Sequence, residues 1–183
     1  MGSARGRLQT VAYVKGKVVK GFGRGSKELG IPTANLEESV VQSLTLPEGI
    51  YYGFAQLFLK NSNPNLPDQS LNTALSRNSV IPDSCSQNPI YPMVCSLGWN
   101  PQFQNKTRTL EVHIMNNFGY DFYGAIIKVA ICGFIRLEMR FESLQKLIDT
   151  IHEDIAYANT ALESPKTNWA TVVYNKFFGI SET

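Results

Sequence analysis

Gly21-Phe22-Gly23-Arg24-Gly25-Ser26-Lys27 sets alternate glycines beside two cations. Glycine lets backbone N–H groups approach a ligand closely, and successive N–H groups form an anion cradle. With Arg24 and Lys27 added, the segment suits a polyphosphate. It matches neither common phosphate loop. Ser26 takes the place of the second glycine of a Walker loop and of the last glycine of G-x-G-x-x-G, and Glu28 follows Lys27. The plain alternative is a flexible turn after a strand.

Gly30-Ile31-Pro32-Thr33-Ala34-Asn35 comes next. Thr33 and Asn35 are two residues apart, so in extended chain their oxygen-bearing side chains point the same way. A hydroxyl and an amide carbonyl facing one point beside a phosphate cradle can complete the shell of a Mg²⁺ that also takes waters and phosphate oxygens. Ordinary loop hydrogen bonds are the competing use.

A third candidate lies far downstream. In Thr107-Arg108-Thr109-Leu110-Glu111-Val112-His113-Ile114-Met115 the residues alternate. Leu110, Val112 and Ile114 form an apolar face; Thr109, Glu111 and His113 form the other. Glu111 is thereby a carboxylate on a rigid element, placed as a general base for an alcohol must be. His113 reaches Glu111 only diagonally, since same-face neighbours on a strand are ~7 Å apart. It reads as a packed or hydrogen-bonded histidine.

Strands must carry these residues. Val11–Val19 alternates; Ile50–Leu59 is apolar and aromatic on both faces, as in a strand covered on both sides. Tyr91–Leu97, Arg108–Met115 and Tyr123–Ile135 follow, with Trp169–Phe178 as a weaker last strand. One segment is helical: Leu144, Leu147, Ile148, Ile151, Ile155, Ala158 and Leu162 recur at three- and four-residue steps, with Ser143 as N-cap and Pro165 beyond the end. Successive strands and one late helix predict an antiparallel barrel or sandwich with a helix packed on it. Residues 60–92, rich in Pro, Asn and Ser and free of Gly, read as a long surface insertion.

Composition narrows the class. A chain of 183 residues points to one domain able to bury its own core. Lys and Arg number 17 against 15 Asp and Glu, a net charge of +2. That balance argues against a nucleic-acid backbone as partner. Three cysteines (Cys85, Cys95, Cys132) and two histidines (His113, His152) make neither a disulfide framework nor a zinc cluster. No apolar stretch is long enough for a membrane-spanning helix, and the N-terminus shows no signal-peptide core. A reducing, cytoplasmic setting is expected.

Together these blocks resemble the riboflavin kinase (flavokinase) family. The matching segments are Gly21 to Lys27, Leu29 to Asn35, Gly49-Ile50-Tyr51-Tyr52-Gly53, Gly98-Trp99-Asn100-Pro101, Glu111 to Met115, Asp121-Phe122-Tyr123-Gly124 and Arg136-Leu137-Glu138, in the family's order from about Lys15 to Leu162. The resemblance implies a six-stranded antiparallel Greek-key barrel with a C-terminal α-helix. It implies that Gly21, Gly23, Gly25, Lys27, Thr33 and Asn35 hold ATP. Thr33 and Asn35 would also meet Mg²⁺, with Zn²⁺ or Mn²⁺ as alternatives, and Glu111 would be the catalytic base. The family's flavin contacts correspond to Ile114, Asn116, Tyr123, Arg136, Met139 and Phe141. Leu137 stands where a proline often follows the flavin-site arginine, and positions 116 and 139 vary among relatives.

The implied reaction is phosphoryl transfer from MgATP to the ribityl 5′-hydroxyl of riboflavin, giving FMN. No adenylyl-transfer motif of the HxGH kind precedes the glycine loop, which resembles the monofunctional eukaryotic type, acting as a cytoplasmic monomer. Two rivals remain: a flavin-binding barrel without catalysis, and a nucleic-acid-binding barrel of the OB type, which calls for a basic, aromatic groove.

Overall fold

The computed structural model describes residues 5–21, 29–59, 89–99 and 108–163, together with Val173. Six antiparallel strands and two helices account for them: β1 (Gly6–Val19), β2 (Ala34–Leu36), α1 (Glu38–Val41), β3 (Gly49–Phe58), β4 (Ile90–Trp99), β5 (Arg108–Ile114), β6 (Ile126–Arg136) and α2 (Leu144–Glu163). The strands close into a barrel in the order β1-β2-β5-β4-β3-β6. β2 adjoins β5 instead of β3, and β6 lies between β3 and β1. This is the six-stranded barrel with a C-terminal helix that the resemblance implied.

Alternation explains where each side chain goes. On β5, Leu110, Val112 and Ile114 are buried inside the barrel with Val18, Leu36 and Met93, whereas Glu111 and His113 face outward and are half-buried. β3 is covered on both faces: Tyr51 and Leu57 enter the interior, and Tyr52 and Phe54 pack outside with Ile135, Ala158 and Leu162. Such dual burial needs close backbone approach. A Cβ on Gly53 would overlap the Ala130 carbonyl oxygen of β6, so glycine is required there.

Several expected boundaries move. β1 starts at Gly6, earlier than Val11, and its register against β6 shifts between Arg7 and Ala12. β6 starts at Ile126, not Tyr123. The Tyr123-Gly124 segment is a turn, with Gly124 at φ +83°. The insertion ends earlier than residue 92, because Ile90, Tyr91 and Pro92 belong to β4. Proline is accepted in this central strand because β5 pairing begins only at Met93. The Pro92 carbonyl still accepts from Met115 N at 2.9 Å. The rest of the insertion (60–88), and Trp169–Phe178 apart from Val173, lie outside the described residues.

Ser143 caps α2: its Oγ accepts from Lys146 N at 3.2 Å. The buried face of α2 is Thr150, Asp154, Ala158 and Leu162, rotated from the expected apolar stripe; Leu144 is exposed. Asp154 on that face pairs with Arg136 at the end of β6.

Candidate active site

β2 is only three residues long, yet it sets the geometry. It pairs with β1 through Val19↔Asn35 and with β5 through Asn35↔Glu111. Directly opposed residues share a face, so the Asn35 and Glu111 side chains emerge together on the outside of the barrel. Thr33, just ahead of β2, donates its Oγ1 hydrogen to Glu111 Oε2 at 3.4 Å. Gly21 lies against the same group, and a Cβ there would overlap the Asn35 amide. Gly21, Thr33, Asn35 and Glu111 thus form one cluster. Gly23, Gly25 and Lys27 lie outside the described residues.

Burial raises the Glu111 pKa; the Thr33 hydroxyl opposes this, and the charge of Glu138 adds to it. His113 is tied down as its neighbours required. Its Nδ1 lies 2.9 Å from the Pro32 carbonyl oxygen, which can only accept, so Nδ1 carries the hydrogen. Burial lowers the His113 pKa despite that bond, keeping the ring neutral. The histidine fastens the Pro32-Thr33 turn to β5.

Two cavities flank this cluster. The larger, about 580 Å³, opens at the barrel end and is lined by Pro32, Ile114, Asn116, Phe118 and Tyr123 among others. The smaller, about 300 Å³, lies between the outer face of β4 and β5, the 137–141 segment and α2, and contains Glu111. Thr33 and His113 belong to both walls.

The six expected flavin contacts do not share a cavity. Arg136, Met139 and Phe141 line the smaller one with Glu111; Ile114, Asn116 and Tyr123 line the larger. The reason is parity. Ile114 is three residues from Glu111 on β5 and therefore points to the opposite face, and Asn116 and Tyr123 follow in the loop beyond it.

Two polar pairs in the smaller cavity escaped the sequence reading. Arg136 Nε donates to both carboxylate oxygens of Asp154, at 3.1 and 3.0 Å, and Nη2 donates to Oδ2 at 2.8 Å. The guanidinium also covers the Phe141 ring, 5.7 Å from its centroid. The signal available was Asp154 itself, a charge standing four residues from Thr150 and from Ala158 on a helix stripe. The second pair is Ser96 Oγ donating to Glu138 Oε1 at 2.8 Å.

Among the described residues, no three His, Cys, Asp or Glu side chains converge as a metal cage. Thr33 and Asn35 offer hard oxygen donors, enough for a cation that takes its other ligands from water and phosphate. A closed barrel with such a pair, a carboxylate on a strand and two neighbouring cavities has the parts that small-molecule phosphoryl transfer requires.

Comparison with known proteins names the kind. The chain matches the family described as Flavokinase: Riboflavin kinase over residues 8–162. It is 43% identical over 153 residues to the riboflavin kinase of Pyricularia oryzae, covering 82% of this chain and 70% of that one. It is 39% identical over 173 residues to the human riboflavin kinase, covering 93% and 92%. The crystal structure of riboflavin kinase from Trypanosoma brucei superposes with a TM-score of 0.61 at 27% identity, covering 94% of this chain and 92% of that one. The chain belongs to the riboflavin kinase family.

Proposed function

We propose that this chain transfers the γ-phosphoryl group of ATP to the ribityl 5′-hydroxyl of riboflavin, producing FMN. The observation that carries this is the Thr33–Asn35–Glu111 cluster, in which Thr33 lines both cavities and Glu111 the smaller one. Phosphoryl transfer has a loose transition state, so a protein contributes mainly by positioning and charge stabilisation.

The larger cavity would take the nucleotide, with Gly21 and the rest of the glycine loop, Gly23, Gly25 and Lys27, toward its phosphates. On this division Ile114, Asn116 and Tyr123 serve the nucleotide side. The smaller cavity would take the flavin, with Phe141 and Met139 as apolar surface and Arg136 held by Asp154 as a polar edge. Thr33 and Asn35 would hold Mg²⁺, or Zn²⁺ or Mn²⁺ in its place, which supplies charge neutralisation on the transferring group. Glu111 accepts the proton of the attacking hydroxyl; its half-buried, strand-fixed carboxylate and raised proton affinity suit that role. Thr33 orients it through the Oγ1 hydrogen bond.

Cys95 and Cys132 are free and buried, in keeping with a reducing cytoplasm. No helix among the described residues is long and apolar enough to cross a membrane.

Incubation with riboflavin, ATP and Mg²⁺, followed by chromatography for FMN, tests the proposal. Tight riboflavin binding without FMN formation would instead leave a non-catalytic flavin-binding barrel. Thr33→Ala should raise the Mg²⁺ concentration needed for half-maximal rate; an unchanged titration would remove the metal role.

A further inference from the structure

Among the described residues, the smaller cavity is lined by three carboxylates, Glu111, Glu138 and Asp154, and one guanidinium, Arg136. Arg136 and Asp154 neutralise one another. The charge left over belongs to Glu111 and Glu138. Glu138 is exposed, but its carboxylate has fixed neighbours. Ser96 Oγ donates to its Oε1 at 2.8 Å, and a Cβ on Gly98 would overlap the same carboxylate. Ser96 is the cross-strand partner of Glu111, and Gly98 is two residues along on that face. β4 therefore builds a berth that seats a second carboxylate beside the first.

We propose that Glu138, seated by Ser96 and Gly98 beside Glu111, is a specificity-determining residue that makes the acceptor cavity favour the neutral polyol substrate over its phosphorylated product. The hydroxyl that gives its proton to Glu111 becomes the ester oxygen of the product. The new phosphate therefore forms beside both carboxylates. A phosphate monoester carries roughly −1.5 to −2 charge at neutral pH, whereas the ribityl hydroxyls carry none. Like charges in a partly enclosed cavity repel, and salt weakens the repulsion.

The inference rests on the kinase reading, so FMN formation by the unaltered protein is assayed separately and decides that reading alone. Equilibrium binding of riboflavin and of FMN, followed by flavin fluorescence at low and high salt, decides this one. Glu138→Gln should tighten FMN about fivefold at low salt and leave riboflavin within about twofold. Raising the salt should tighten FMN on the unaltered protein and have little effect on the variant. Ser96→Ala, which frees the carboxylate, should shift FMN the same way by less. Glu138 is exposed, so Gln should not perturb folding. Unchanged FMN affinity in Glu138→Gln, or equal shifts for both flavins, overturns the proposal.

Discussion

Asn35 stands directly opposite Glu111 in the β2·β5 ladder, although α1, β3 and β4 all lie between them along the chain. Register alone puts the amide and the carboxylate on one face. Thr33 then closes the group with its bond to Glu111.

Glu111→Gln keeps the shape of the site and removes the proton acceptor. Turnover should fall roughly 10²-fold or more, while affinity for a non-hydrolysable ATP analogue stays within about twofold. A kcat near that of the unaltered protein would show that Glu111 is not the base.

Gly21→Ala would push a methyl group into the Asn35 amide, the movable end of a side chain. The fold should survive, with a thermal midpoint within a few degrees. The KM for MgATP should rise about tenfold, as expected for losing one well-made polar contact. Unaltered MgATP kinetics would place Asn35 outside the nucleotide site.

Arg136→Met strands the buried Asp154 carboxylate and should cost about 3 kcal/mol in chemical denaturation. Adding Asp154→Leu should restore most of that stability, because the uncompensated charge is gone. Riboflavin affinity should not return with it if Arg136 contacts the flavin. Recovery of both would reduce the pair to a helix fastening.

His113 supplies a pH dependence whose sign follows from burial. Its pKa is lowered in the folded chain, so the unfolded chain binds the extra proton first. The contribution to stability is complete above the unfolded value of about 6.5 and is lost as pH falls through it toward the folded value. The thermal midpoint of the unaltered protein should therefore drop more steeply below about pH 6.5 than that of His113→Gln, which keeps a donor for Pro32. Parallel curves would mean that folding does not lower the His113 pKa.

Much of this was legible along the chain. The alternation of β5 marked Glu111 and His113 as one face and Leu110, Val112 and Ile114 as the other. The double apolar coat of β3 and the cap at Ser143 also stand in the sequence, since both are local consequences of residue type and spacing. The separation of Ile114 from Arg136 was partly legible in the same alternation, but their cavities exist only once α2 covers the outer face and the 115–125 loop borders the barrel end.

Residue type and spacing along the chain mark which residues could do chemistry and which way most strand side chains point, because alternation is enforced residue by residue. Which of them meet is set by the closed fold. Barrel closure brings β2 to β5, Asp154 to Arg136 and Glu138 to Ser96. Those pairings depend on register between strands distant in sequence and on burying charge against charge, and no local pattern encodes either.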